Sequence, residues 1–341
     1  MKKHKIVFLA ASAHLINELW APKAQDIVEK YDFDSQVHIV SKYKARDLRE
    51  ILEDCDALIT SWNSPVCTAD FLRINAPSVK IIGHAAGSPV SVTDESTYDT
   101  GVKVITANQI MSEGVAEWSL MATLLAARNL GSYAALYGKS KVCFKKTEDM
   151  SDIKNMTIGL WGFGDTSKNL LKMLAPLKPG KILVCSRHSS AEQIESYGAE
   201  KRDFETVIKE SDIFHALVGL TPSSFQRLGV NEFSMFKNGT TFINCARANL
   251  TQEKALLDEL EKKRINAILD VFHTEPIEGL SKLNDLDNVV LTPHNAGYTG
   301  RDRFVPFILE EFNNFFKGRS LKSLIDKKRF MSMTNEALTK V

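Results

Sequence analysis

The chain has 341 residues, 44% of them hydrophobic and 25% charged, with 43 Lys and Arg against 42 Asp and Glu for a formal net charge of +1. That length predicts about two domains, and so apolar a chain with so little net charge excludes general disorder. The balanced charge also excludes bulk electrostatic capture of nucleic acid, so no nucleic-acid partner is expected.

The first predicted element is the strand Lys5-Ile6-Val7-Phe8-Leu9-Ala10. Its apolar run, 6–13, is eight residues long, which suits a buried strand and neither a signal peptide nor a membrane span. An amphipathic helical stretch follows over 16–31, a second strand over 37–40 and a helix over 45–54. Strands at 57–60 and 79–83 come next, with a helical segment between them. Residues 115–130 are apolar at Val115, Trp118, Met121, Leu124 and Leu125, a helix face. Residues 138–152 are polar and Lys-rich and read as an exposed loop. The alternation then restarts, with strands at 157–161, 181–185, 213–218, 241–244 and 289–292. The last stretch, 326–341, has weak patterning and reads as a loosely held tail. Strands alternating with helices predict two α/β modules with parallel sheets. Cys55, Cys67, Cys143, Cys185 and Cys245 are scattered with no CxxC pair, so reduced thiols in a cytoplasmic protein are expected, and no metal site.

The strand at 157–161 runs into Gly162-Phe163-Gly164-Asp165-Thr166-Ser167 and then a helical pattern. This is G-x-G-x-x-S at a strand-to-helix junction, where the glycines allow a tight turn and close approach of a pyrophosphate to the helix N-terminus. Dinucleotide binding is expected at Gly162, Gly164, Asp165 and Thr166. At the end of the next strand, where a carboxylate would hold a ribose 2′-hydroxyl, stand Ser186, Arg187 and His188. An arginine there accommodates a 2′-phosphate, so NADP(H) is expected ahead of NAD(H).

Three later segments each end a strand in chemistry-bearing residues: Asn244-Cys245-Ala246-Arg247, Asp270-Val271-Phe272-His273-Thr274-Glu275-Pro276, and Thr292-Pro293-His294-Asn295-Ala296-Gly297. Ligands of open α/β sheets collect beyond the carboxyl ends of strands. An arginine, a carboxylate and a histidine gathered there can act as anion clamp, orienter and general acid.

This ordered set, with the G-x-G-x-x-S loop and Leu220-Thr221-Pro222, resembles the D-isomer-specific 2-hydroxyacid dehydrogenases, which include phosphoglycerate, glyoxylate/hydroxypyruvate and D-lactate dehydrogenases. The resemblance covers roughly residues 50–320. It implies two Rossmann-like, doubly wound parallel-sheet domains. The NAD(P)-binding Rossmann domain, 106–296, would be inserted into a discontinuous, flavodoxin-like substrate-binding domain, 1–105 and 297–341, with 304–316 as the returning helix. It implies hydride transfer between NAD(P)H and a small 2-keto acid or D-2-hydroxy acid. Arg247 matches the arginine that binds the substrate carboxylate and keto oxygen. His294 matches the general acid, and Glu275 the partner that orients its ring and favours the imidazolium. Asp270 matches the residue near the nicotinamide carboxamide. Cys245, Ala246, His294 and Gly297 join the cofactor-binding set, and Ala85, Ala86, Gly87 and Ser88 match the loop whose N–H groups hold the carboxylate. A homodimer through 115–130 is expected, with Trp118 and Met121 at the interface.

The chain departs from the family pattern in places. Ser88-Pro89-Val90-Ser91 replaces a Gly and Asp-Asn continuation, Trp118 a common His, Leu217 and Gly219 a His and a Pro, and Ala248 a Gly. These departures point away from phosphoglycerate as substrate. Few residues follow the last predicted helix, so no C-terminal regulatory domain is expected. Two other readings stand beside the first: a dehydrogenase of sugar-derived acids such as aldonates, and a non-catalytic dinucleotide-sensing module.

Overall fold

The computed structural model describes residues 3–42, 45–129, 151–276, 281–335 and 337. Most of the loop expected at 138–152 lies outside the described residues, as does Cys143. The described chain divides into two units. One joins the described residues up to Met111 with those from Tyr298 to 335, and the other joins Ser112–Gly297 with Ala337.

The first unit begins with β1 (Lys5–Ala10), α1 (Ala13–Leu19), α2 (Pro22–Tyr31), β2 (Asp34–Ile39), α3 (Ala45–Leu52), β3 (Ala57–Thr60), α4 (Ala69–Asn75), β4 (Ile81–His84), α5 (Glu95–Asp99) and β5 (Lys103–Thr106). The single helix expected over 16–31 is two. Proline lacks an N–H and clashes with the preceding turn, so Pro22 opens a new helix behind the extended Ala21. The strand order is β13-β5-β4-β3-β1-β2, parallel except at β13 (Leu324–Ile325), which runs antiparallel to β5. Apart from β13 this is the flavodoxin-like order. Alternate residues of β1 feed two cores: Ile6 and Phe8 pack with Phe304, Ile308 and Phe312 of α12 (Phe304–Phe316), while Val7 and Leu9 pack with Leu52, Leu58 and Leu72.

The expectation of a loose tail over 326–341 is corrected for residues 326–335; 336 and 338–341 lie outside the described residues. Asp326 caps α13 (Lys327–Phe330), accepting from Arg329 N–H at 2.6 Å. Phe330 is buried, its ring 4.9 Å from that of Tyr98. A single buried ring anchors this segment, too sparse a signal for periodicity to reveal.

The helix α6 (Asn108–Ala127) enters the second unit, which continues with β6 (Thr157–Trp161), α7 (Asp165–Leu174), β7 (Lys181–Cys185), α8 (Ala191–Glu195), β8 (Glu200–Lys201), α9 (Phe204–Glu210), β9 (Ile213–Ala216), α10 (Val230–Met235), β10 (Thr241–Asn244), α11 (Glu253–Glu261), β11 (Asn266–Leu269) and β12 (Val289–Leu291). Its seven strands are all parallel in the order β12-β11-β10-β9-β6-β7-β8, the doubly wound Rossmann arrangement with one further strand. The fold class read from the sequence is thereby observed. Among the described residues no helix is long and apolar enough to cross a membrane.

Candidate active site

Beyond β6, Gly162 has φ of +115°, and a Cβ there would lie 2.6 Å from the Leu217 carbonyl oxygen, so only glycine fits this turn. Gly164 caps the N-terminus of α7, and a Cβ on it would meet nothing within 4 Å. The approach to the helix N-terminus is therefore open, where backbone N–H groups and the helix dipole favour an anion. Asp165 and Thr166 open α7, and the buried Ser167 donates to the Gly162 carbonyl at 3.0 Å. These features fit the pyrophosphate of a dinucleotide. At the end of β7, Ser186 is half-buried while Arg187 and His188 are exposed. Arg187 Nη2 donates to Ser223 Oγ at 2.7 Å.

The strands β10, β11 and β12 are consecutive neighbours, so the turns past their carboxyl ends line one edge of the sheet. The β10 turn carries Arg247. The buried Asn244 brackets it: Oδ1 accepts from Ala246 N–H and Nδ2 donates to the Arg247 carbonyl, both at 3.0 Å. Arg247 Nη1 donates to the Ala246 carbonyl at 2.6 Å. Cys245 is buried, its thiol pushed up to about 12 chiefly by burial. Its Sγ lies 3.4 Å from Ser119 Oγ. Because Ser119 Oγ donates to the Val115 carbonyl, the thiol is the donor in this pair. In the cofactor-binding role assigned to it, Cys245 could offer only its backbone.

Asp270, just past β11, is fully buried. Its carboxylate accepts from Thr292 Oγ1, from Asn295 N–H at 3.0 Å and from Ala296 N–H at 2.8 Å. The turn between these donors carries His294, whose φ is +50°, a left-handed conformation unusual for a non-glycine residue. Asp270 holds the flanking residues and so over-determines that conformation. Glu275 Oε2 lies 2.7 Å from His294 Nδ1, and Glu275 Oε1 accepts from Phe272 N–H at 3.0 Å. A carboxylate only accepts, so Nδ1 carries a proton and Nε2 is the ring atom left for proton transfer. Both side chains are part-exposed.

Trp118, expected at a dimer interface, is buried in the second unit in a cluster with Ala122, Ile243 and Cys245. Of the expected stripe, Val115, Trp118 and Leu125 pack in that cluster, whereas Met121 and Leu124 are exposed.

In the first unit, Ala85, Ala86 and Gly87 follow β4 and are buried. Ala85 N–H donates to the Thr60 carbonyl at 2.8 Å, so the expectation that it would hold a carboxylate is corrected: parallel strands β3 and β4 consume it. Ser88 Oγ donates to the Thr334 carbonyl at 2.8 Å. The sequence segments include Asn244 and Thr292 without giving either a role, and Ser119 is not singled out there at all. The one available signal was their position, at a strand end, beside Pro293, and on the helix face toward β10.

A strand, a glycine turn and a helix N-terminus open to an anion, on a Rossmann sheet, define a dinucleotide-binding unit. A family model described as D-isomer specific 2-hydroxyacid dehydrogenase, NAD binding domain, matches residues 120–296. The glyoxylate reductase of Thermococcus litoralis is 30% identical over 289 residues, 82% of this chain and 86% of its own. The D-3-phosphoglycerate dehydrogenase of Methanocaldococcus jannaschii is 28% identical over 280 residues, 82% of this chain. This chain spans about half the length of that relative, 52%. A D-isomer specific 2-hydroxyacid dehydrogenase from Lactobacillus delbrueckii ssp. bulgaricus, solved with NAD, superposes with a TM-score of 0.77 at 22% identity, over 94% of this chain and 100% of its own. One from Xanthobacter autotrophicus Py2, solved with NADPH and MES, gives 0.78 at 21%, over 96% and 100%. The chain belongs to the D-isomer specific 2-hydroxyacid dehydrogenase family.

Proposed function

We propose that the protein is a reductase of small 2-keto acids such as glyoxylate and hydroxypyruvate, using NADPH in preference to NADH. The observation that carries the reading is the 2.7 Å pair of His294 Nδ1 and Glu275 Oε2, on the turn of a strand two places from the one that bears Arg247. The reduced nicotinamide, when bound, supplies a hydride, two electrons and a proton, to the keto carbon. Reduction to the alcohol needs one further proton on the oxygen, and His294 Nε2 donates it. Glu275 accepts from Nδ1–H, orients the ring and favours the imidazolium, whose Nε2–H is the proton given up. The planar guanidinium of Arg247 binds the substrate carboxylate and polarises the keto oxygen. The backbone of Ala86, Gly87 and Ser88 is proposed to receive the carboxylate, and Gly162, Gly164 and the first turn of α7 the pyrophosphate. Arg187 beside Ser223 supports the preference for a 2′-phosphate. Met121 and Leu124 on α6 support a homodimer, which sedimentation of the wild type and of Met121→Glu would test. The activity is tested by NADPH and NADH oxidation against a panel of 2-keto acids. Turnover of glyoxylate or hydroxypyruvate is expected. Tight cofactor binding with no turnover of any acid would replace this reading with a binding module.

A further inference from the structure

We propose that Asn244 is a positioning residue that sets the geometry of Arg247 and ties it to the turn carrying His294. This rests on the functional reading above. Asn244 is the last residue of β10 and is 2% exposed. Its side chain spans the 245–247 turn, accepting from Ala246 N–H and donating to the Arg247 carbonyl, each at 3.0 Å. The two partners fix the amide orientation, because an N–H can only face Oδ1 and a carbonyl only Nδ2. Its own carbonyl accepts from Asp270 N–H at 2.9 Å. The Asp270 carboxylate in turn takes Thr292 Oγ1 and the N–H groups of Asn295 and Ala296 on either side of His294. One continuous set of hydrogen bonds, part-buried or buried, therefore runs from the arginine turn, through Asn244 and Asp270, to the histidine turn. Polarising a keto oxygen while protonating it requires those two side chains to keep a fixed relation, and a misplacement of about 1 Å costs on the order of a hundredfold in rate.

Asparagine is the side chain of this length that offers both an acceptor and a donor. Aspartate keeps the acceptor for Ala246 N–H but puts an oxygen against the Arg247 carbonyl. Asn244→Asp, nearly isosteric, and Asn244→Ala are therefore expected to lower kcat/KM for the 2-keto acid about 10- to 100-fold. The dissociation constant of NADPH, read by fluorescence titration, should stay within about twofold of wild type. The decisive measurement is a double-mutant cycle. In an Arg247→Ala background, Asn244→Ala should cost almost nothing further, because the residue through which it acts is gone. A merely structural asparagine would cost the same factor in both backgrounds and weaken cofactor binding too, and that result would overturn the proposal. Wild-type turnover by Asn244→Asp would also overturn it. A crystal structure of Asn244→Asp decides the point independently of activity: a 245–247 turn superposing on wild type sinks the positioning role. Absence of wild-type turnover on every 2-keto acid would instead remove the functional reading.

Discussion

The hydroxyl of Thr123 lies 2.9 Å from Nε2 of His215, and the histidine is the donor. The Thr123 proton already goes to the Ser119 carbonyl at 2.8 Å, so the hydroxyl can only accept from the ring. His215 is fully buried, and its Nδ1 has no hydrogen-bond partner among the described residues. Burial pushes the imidazole down to about 3, and the same cause takes the buried His84 in the first unit to about 3.

These two histidines predict acid sensitivity of the fold. Each is neutral when folded, whereas in the unfolded chain each takes a proton below its ordinary value of 6.5. Between 6.5 and about 3 the unfolded state therefore binds more protons, and stability falls as pH falls through that window. Each contributes a slope of up to about 1.4 kcal/mol per pH unit. His38 and His273 are lowered by desolvation and act in the same direction. Urea unfolding at about pH 7.5 and about pH 5 should show the loss in wild type and a smaller one in His215→Leu. Equal losses in both proteins would mean that His215 titrates in the folded state.

Replacing Arg247 tests the anion clamp. Arg247→Lys keeps the charge but loses the bidentate fork, and Arg247→Ala loses both. Hydrogen bonds to charged groups are worth roughly 1.5–3 kcal/mol, so kcat/KM for the keto acid should fall about 10- to 100-fold in the lysine variant and further in the alanine variant. NADPH affinity should change by no more than a few-fold, about three at most. Near wild-type kcat/KM in either variant would remove Arg247 from the reaction.

The histidine pair predicts an ordering of losses. A positioned general acid is worth about 10²- to 10⁴-fold, and His294→Asn should lose that in kcat. Glu275→Gln keeps an oxygen that can accept from Nδ1–H but loses the charge, so its loss should be smaller, about 10-fold or more. Stopped-flow hydride transfer with saturating NADPH measures both. A Glu275→Gln enzyme slower than His294→Asn would show that the carboxylate does more than hold the ring.

Cofactor choice can be reversed at one position. Wild type should favour NADPH over NADH about 10- to 100-fold in kcat/KM, and salt should erode the preference because Arg187 is exposed. Arg187→Asp should favour NADH, since a carboxylate accepts from ribose hydroxyls and repels a phosphate. Equal use of both cofactors by the wild type would leave Arg187 serving only Ser223.

Strand and helix alternation was legible because parallel strands such as Thr157–Trp161 and Ile213–Ala216 are short, mostly apolar runs between helical patterns. The two-residue strands β8 and β13 carry no periodicity, and neither was read. In the site, the residue types that carry chemistry were readable: Arg247, Glu275 and His294 each close a strand in an ordered set. What held them was not. Asn244 looks in sequence like any residue ending a strand, and its bracket exists only once the 245–247 backbone has turned. The sequence places Asp270 near the cofactor by resemblance, but nothing in its neighbours shows that Thr292, more than twenty residues on, returns to it after β12. The sequence points Trp118 to a dimer interface because an amphipathic stripe marks a packed face without saying what it packs on.

The proton on Cys245 has a practical meaning. A thiol held near 12 and shut inside the second unit is closed to alkylating reagents and peroxide while the chain stays folded, since only an accessible thiolate reacts. Labelling at that sulfur then requires a local opening that exposes it, parting Ser119 from the turn after β10. The pace of its modification becomes a clock for how often this edge of the sheet comes undone, read without adding any probe to the protein.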